Sequence, residues 1–153
     1  MIATTAERVI NVTPEHINEQ IRAKTRERIA YCAAVGLEAI DRRLAELDKE
    51  WDIERAIEAN FAGVVLASGV LGLTSNRVWH LFSAVAAGFL LQHALEGWCP
   101  PVPVFRRLGF RTLKEIDEER FALKALRGDF DGVDQREGAP ADRADLAHES
   151  ARL

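Results

Sequence analysis

The sequence predicts an all-α fold: a two-span transmembrane helical hairpin flanked by cytoplasmic amphipathic helices. Two observations carry this prediction. Although 29% of the 153 residues are charged, the block from 59 to 95 contains a single charged side chain, Arg77. Amphipathic helical periodicity precedes this block, and a proline-rich stretch and a helix-capping sequence follow it.

The composition argues against several classes of protein. A net charge of −4 without a basic block argues against nucleic-acid binding. Cys32 and Cys99 form no CxxC pair, so neither a disulfide framework nor a zinc site is indicated. No nucleotide-binding, metalloprotease or serine-hydrolase motif is present, and we expect a non-enzymatic protein without catalytic residues, metal or cofactor. Residues 1–20 lack the order of a secretory signal, so membrane insertion is expected to start internally.

Residues 1–58 are expected to form a cytoplasmic helical region. Thr13-Pro14-Glu15 combines a capping hydroxyl, a proline suited to the first helical position and a favourably placed acid, and predicts a helix over 14–34. Gly36 interrupts this helix. Apolar residues then recur as in an amphipathic helix packed on its neighbour, or in an intermolecular coiled coil: Leu37, Ile40, Leu44, Leu47 and Trp51. No stop signal is identified between them and the apolar block.

The predicted hairpin occupies residues 59–99, with spans over 59–76 and 78–98 and a turn at 74–77. The uncharged stretches 59–76 and 78–95 have 18 residues each, roughly 27 Å as a helix and close to the thickness of a bilayer core of about 30 Å. Trp79 and Trp98 would place one indole at each interface of the second span. The alternative is a soluble four-helix domain, but the flanking helices have too few large apolar residues to cover such a hairpin.

Small residues four positions apart predict close helix packing along both spans. These residues are Gly63 and Ala67, Ser68 and Gly72, and Ala84 and Gly88. The pattern suits packing within the hairpin or between two copies, so we expect a homodimer or a membrane-protein partner.

Residues 100–128 are predicted to form an interfacial segment followed by a cytoplasmic helix. Prolines at 100, 101 and 103 end the second span. Arg106, Arg107 and Arg111 interleave with aromatic and aliphatic residues, as in a segment that contacts anionic lipid headgroups. The alternative is an ordinary solvated loop.

A capping-box pattern, Thr112-Leu113-Lys114-Glu115, predicts the start of the last helix, and Gly128 predicts its end. Residues 129–153 are acidic and poor in large apolar residues, which is typical of a disordered tail.

Basic residues flank both ends of the hairpin, whereas the turn has only Arg77. Four precede the first span and four follow the second: Arg42, Arg43, Lys49 and Arg55, then Arg106, Arg107, Arg111 and Lys114. The positive-inside rule therefore predicts a multi-pass membrane protein with both termini in the cytoplasm.

Candidate functional residues lie toward the cytoplasmic end of the second span. A helical projection at about 100° per residue places Gln92, Glu96 and Cys99 on one stripe with Ala84 and Gly88. Polar side chains at membrane depth normally face protein or water, so the stripe is either a functional or a packing face. Cys99 is either a sulfur-handling thiol or a structural cysteine. His93 is a candidate for proton relay, or for haem or ion binding.

Several motifs together resemble the YgaP-like inner-membrane transmembrane domain, a bacterial family of largely unknown function. They are Asp52-Ile53-Glu54-Arg55 leading into Asn60 and Gly63, two short apolar spans, Gly97-Trp98-Cys99-Pro100, and Leu108-Gly109-Phe110-Arg111-Thr112. The resemblance covers about residues 52–112 and implies a two-helix membrane domain that can dimerise. In the family this domain occurs alone or behind a rhodanese, a sulfurtransferase. The chain has no rhodanese active-site loop, so that activity is not implied for it.

Overall fold

The computed structural model describes residues 6–131, 133 and 140–152. Within them the regular structure is entirely helical, which confirms the all-α prediction. The helices are α1 Arg8–Val12, α2 Glu15–Val35, α3 Leu37–Leu47, α4 Ile53–Thr74, α5 Trp79–Glu96, α6 Val102–Leu108, α7 Leu113–Arg127 and α8 Pro140–Arg152.

The chain divides into two compact units. The hairpin unit comprises the described residues up to Lys24 together with Glu50–Ile116, and the second unit comprises Thr25–Lys49 and the described residues from Asp117 onward. The hairpin unit holds α1, α4, α5 and α6, whereas α3 and α8 belong to the second unit.

The end of α3 corrects the prediction of a helix running without interruption into the apolar block. α3 stops at Leu47, and α4 begins anew at Ile53, where the Asp52 carboxylate accepts a hydrogen bond from the Arg55 backbone N–H at 2.7 Å. Asp52 is thus an N-cap that satisfies one of the free donors at the start of a helix. The expected division between residues 58 and 59 therefore falls inside α4, and Trp51 lies outside the helical seam.

Helices α4 and α5 pack against each other as a hairpin. The Ser68 and Ser83 hydroxyls lie 2.7 Å apart, and a Cβ atom added at Gly72 would overlap the His80 ring. In the turn, the Asn76 side chain accepts a hydrogen bond from the Val78 backbone N–H at 2.9 Å. The turn thus follows the predicted position closely, and small residues bring the two helices together.

An apolar core fills the base of the hairpin, the end opposite the turn. It contains Val9, Ile53, Ile57, Phe61, Ala86, Cys99 and Val102. Val9 reaches this core because α1 crosses over Gly97, which ends α5 in the left-handed conformation at φ 78°. A Cβ atom at Gly97 would lie 2.6 Å from the Arg8 carbonyl carbon. The short α1 was not predicted from the sequence, since five residues carry too weak a periodicity.

The C-terminal part of the chain forms more helix than predicted. The Thr112–Glu115 capping box is present, with Glu115 N–H to Thr112 Oγ1 at 3.2 Å and Thr112 N–H to Glu115 Oε2 at 2.8 Å. As predicted, α7 ends before Gly128, whose φ is 90°. However, 102–108 is helical, and so is 140–152 in the expected disordered tail. Residues 132, 134–139 and 153 of that tail lie outside the described residues.

Ion pairs organise the second unit. The Glu119 carboxylate is fully buried and accepts hydrogen bonds from Arg43 Nε at 2.7 Å and Nη2 at 3.2 Å. The Lys124 ammonium donates to the Ala151 carbonyl of α8 at 2.8 Å. Such pairing satisfies charged groups that would otherwise be costly to bury.

The close approach of α1 to Gly97 predicts a measurable difference between two glycines of the hairpin unit. Gly109 also has a positive φ, 94°, but nothing lies within 4 Å of a Cβ atom added there. Gly109→Ala is expected to cost about 1–3 kcal/mol of stability for backbone strain alone. Gly97→Ala should cost more, because Arg8 must also move. Denaturant unfolding of the two variants in detergent would contradict this view of α1 if their losses were equal.

Candidate functional site

A partly buried polar cluster lies where α1, α4 and α5 meet at the base of the hairpin. His93 Nε2 lies 2.6 Å from Glu54 Oε2, and Arg8 Nη2 lies 3.1 Å from Glu54 Oε1. Glu54 sits in the first turn of α4, directly after the Asp52 cap, and His93 sits in the last turn of α5. One carboxylate thus bridges two nitrogenous side chains that come from different helices.

The members of the cluster differ in exposure, since the Arg8 and Glu54 side chains are partly exposed and His93 is buried. His93 is only 2% exposed, and its Nδ1 atom, like Arg8 Nε, has no hydrogen-bond partner among the described residues. A second Arg8 nitrogen, Nη1, lies 3.5 Å from the Ala94 carbonyl oxygen. The His93–Glu54 hydrogen bond joins α5 to α4, and the Arg8–Glu54 ion pair joins α1 to both. The geometry suits the fixing of α1 to the hairpin.

Cys99 lies beside this cluster but is poorly suited to thiolate chemistry. Its side chain is fully buried. Burial raises the pKa of the thiol, and the charge of Glu54 adds to this rise, while the Val102 backbone N–H acts in the opposite direction. A neutral, inaccessible thiol is a weak nucleophile. The structure therefore favours the structural interpretation of Cys99 over sulfur handling.

The predicted stripe along α5 does not form one site. Ala84, Gly88 and Glu96 are exposed and Gln92 is half-buried, whereas Cys99 is buried. The helical projection fails beyond Glu96, because Gly97 takes the chain out of the helix before Cys99 is reached. Gln92 Nε2 donates to Glu96 Oε2 at 3.3 Å, one helical turn away. These two residues stabilise the exposed end of α5 and do not join the His93 cluster.

His93 also lacks the surroundings of a haem or metal ligand. Its Nε2 atom is engaged by Glu54, so only the buried Nδ1 atom remains. Within 6–131, 133 and 140–152, no group of three or more histidine, cysteine or acidic side chains is arranged to hold a metal ion. The geometry thus gives no support to metal or haem binding at this histidine.

The predicted small-residue pairs divide into buried and exposed positions. Ser68 and Gly72 are buried between α4 and α5, so they serve packing within the hairpin. The other predicted packing residues, Gly63, Ala67, Ala84 and Gly88, are exposed. The exposed pairs are thus open to a second helix from outside the chain.

The structure corrects the predicted lipid contacts of two arginines. Arg106 is 1% exposed, and its Nη1 and Nη2 atoms bind the two Glu115 oxygens at 2.7 and 2.8 Å. Arg111 is equally buried and makes two hydrogen bonds of 2.8 Å with Glu50. Guanidinium groups held in this way are not free to reach headgroups, whereas Arg107 is exposed.

The Arg106 pair extends into a network that joins four helices. Arg106 Nη2 donates to Asn18 Oδ1 at 2.8 Å, and Asn18 Nδ2 donates to the Ile10 and Thr13 carbonyls. Burial opposes ionisation of Glu115, but hydrogen bonds from Arg106 and Thr112 outweigh it and lower the pKa of this carboxyl. The pair therefore stabilises the fold at neutral pH, and this contribution is lost as the pH falls through the lowered pKa.

The sequence singles out neither Glu54 nor Arg8 as a partner of His93. Glu54 reads as an ordinary acid in the first turn of a helix, and Arg8 is 85 positions away from His93. Asn18 is similarly inconspicuous on the predicted first helix. Spatial clustering over such distances leaves no signal in local spacing, so the cluster was not predictable from one sequence.

No protein-family model, no curated protein and no solved structure matches the chain. The similarity to the YgaP-like transmembrane domain therefore rests on the quoted motifs alone.

The buried network predicts opposite behaviour for two adjacent arginines. Arg106→Met should lower the free energy of unfolding by about 3–5 kcal/mol, because Glu115 would stay buried without its partner. Arg107→Met, at an exposed position, should change it by no more than about 0.5 kcal/mol. Adding Glu115→Leu to Arg106→Met should recover part of the loss. Denaturant unfolding followed by circular dichroism measures all three, and similar losses for the two single variants would contradict the assignment.

Proposed function

We propose that this chain is a small integral protein of the bacterial inner membrane, anchored by the α4–α5 hairpin, and that it acts as a non-enzymatic interaction or dimerisation module. The observation that carries the proposal is the exposed apolar surface of the hairpin. Large side chains are exposed around both helices: Val64, Leu66, Val70, Leu71, Leu73, Leu81, Phe82, Val85, Leu91 and Leu95. Soluble monomers rarely expose so large an apolar patch, whereas lipid covers it at no cost.

The two helices differ in how well they fit a membrane. Among the described residues, α4 is the one helix long and apolar enough to cross a membrane by length and composition. α5 is shorter and carries His80, Gln92 and His93, which lower its hydropathy. His80 lies near the start of α5 and Gln92 lies toward its end, and His93 is paired with Glu54. The proposed crossing by α5 is supported by this pairing, which removes a polar group from contact with lipid.

The distribution of charge supports an orientation with the base of the hairpin in the cytoplasm. The turn contains one basic residue, Arg77, whereas the base carries several. This follows the positive-inside rule and would place both termini in the cytoplasm. The motif resemblance to the YgaP-like transmembrane domain implies the same orientation.

Membrane insertion and orientation can be tested together. Carbonate washing should leave the protein in the membrane, since the hairpin would be embedded in the bilayer. Asn76→Cys, in the exposed turn, should react with an impermeant maleimide on intact cells, and Glu118→Cys only in inverted vesicles. The native Cys32 and Cys99 are buried and provide little background. Release by carbonate would overturn the membrane assignment, and the opposite labelling pattern would overturn the orientation.

Dimerisation is proposed to use the exposed small residues of α5. A leucine at position 88 meets open space within the chain, so Gly88→Leu should preserve the hairpin while blocking close approach of a second copy. Gly69→Leu is the matched control, because this glycine also has open space around it but no small residue four positions away. Energy transfer between labelled copies in liposomes should fall for Gly88→Leu alone. A wild-type chain without energy transfer would contradict dimerisation.

A further inference from the structure

Helix α6 presents two chemically different faces. Val102 and Arg106 are buried, whereas Val104, Arg107 and Leu108 are exposed, Leu108 to 70%. Val104 and Leu108 are one turn apart and therefore share a side of the helix. Arg107 has no ion-pair partner among the residues that the structure describes, in contrast to the four hydrogen bonds of its neighbour Arg106.

Two further segments at the base of the hairpin carry the same combination of apolar and basic groups. Trp51, just before α4, is exposed, and the Arg55 guanidinium lies 4.5 Å from the centre of its ring. Trp98, just after α5, is also exposed. Because Glu54 and His93 are in contact, the residues before Glu54 and after His93 lie at the same end of the hairpin. We call these exposed residues the basal collar: Trp51, Arg55, Trp98, Val104, Arg107 and Leu108.

We propose that the basal collar lies in the headgroup layer of the cytoplasmic leaflet and binds anionic phospholipid. Val104 and Leu108 face the acyl chains, the two tryptophans lie at the boundary, and Arg55 and Arg107 bind phosphate groups. The inference rests on the proposed membrane function and adds the lipid class and the residues that recognise it. The sequence predicted headgroup contacts for Arg106 and Arg111, which are buried. In this proposal the exposed Arg55 and Arg107 make the headgroup contacts.

Continuity favours lipid over a soluble protein as the partner of this surface. On α5 the exposed apolar surface runs to Leu95, and the collar continues at Trp98, so a bilayer that covers this helix also reaches the collar. Exposed tryptophan and arginine side chains are typical of this depth in membrane proteins. Glu58 and Glu96 are exposed at the same end, so we expect an anion preference of only several-fold.

A fluorescent probe on α6 tests the position of the collar. Leu108→Cys, labelled with an environment-sensitive dye in the full chain and reconstituted in phosphatidylcholine and phosphatidylglycerol vesicles, should be quenched by spin-labelled lipid and shielded from iodide. Glu118→Cys, an exposed position on α7, is the control and should show the reverse. If the dye at 108 is as accessible to iodide as the dye at 118, the collar proposal is wrong. If it is shielded from both quenchers, a second copy or another protein covers α6, which also overturns the proposal.

The lipid class is tested by comparing two spin-labelled lipids. Quenching at position 108 by spin-labelled phosphatidylglycerol should exceed that by spin-labelled phosphatidylcholine. Arg107→Gln should reduce this ratio by up to about five-fold, whereas Arg42→Gln, the same charge change at an exposed position of α3, should leave it unchanged. An equal effect of both variants, or a ratio of one in the parent, would exclude anionic recognition. Carbonate extraction of the same samples separates the two proposals, because a chain that stays inserted while position 108 remains aqueous refutes the collar and not the anchor.

Discussion

The buried contact between Arg106 and Glu115 is the constraint on which the base of the hairpin depends. The guanidinium of Arg106 is only 1% exposed. Its two terminal nitrogens bind Asn18, the Phe110 carbonyl and Glu115, while its Nε atom has no partner among the described residues. These partners fix the start of α2, the end of α6 and the start of α7 relative to one another. A buried ion pair contributes little net stability compared with apolar residues, but leaving one charge alone is costly. The main effect of the pair is therefore to specify how the start of α2, the end of α6 and the start of α7 are placed relative to one another, and its net contribution to the free energy of unfolding is small.

The hairpin unit separates its polar and apolar chemistry along its length. Toward the turn, Ser68 and Ser83 satisfy each other, and the outer surface is apolar. At the base, carboxylates and guanidinium groups pair across helices, with Glu54 and His93 closest to the apolar part. Such a gradient is expected of a chain that meets lipid at one end and water at the other. It also explains why bulk composition describes the molecule poorly, since averaging over the chain removes the gradient.

Local signals predicted local structure well. The helix start after Pro14, the break at Gly36, the Thr112–Glu115 box and the stop at Gly128 depend on a few adjacent residues, and all are present in the structure. The predicted cap by Thr13 is not, because its hydroxyl donates to the Val9 carbonyl at 2.6 Å. Predictions that needed tertiary contacts were less successful. No local sequence signal distinguishes the neighbours Arg106 and Arg107, yet Arg106 is buried and Arg107 is exposed. The difference arises because the fold brings Glu115 and Asn18 to Arg106. The stripe through Cys99 was wrong for a different reason: one glycine ended the helix within the projection.

The contacts of α1, of Glu7 just before it and of the start of α2 have a consequence for the order in which the molecule assembles. Arg8, Asn18 and Glu7 bond to groups 86, 88 and 107 positions further along the chain. Such distant pairings form late, after the intervening chain has been made and placed. Val9 and its neighbours therefore reach their places only after α5, α6 and the start of α7 have formed. Their arrival over Gly97 closes the base of the hairpin around Cys99.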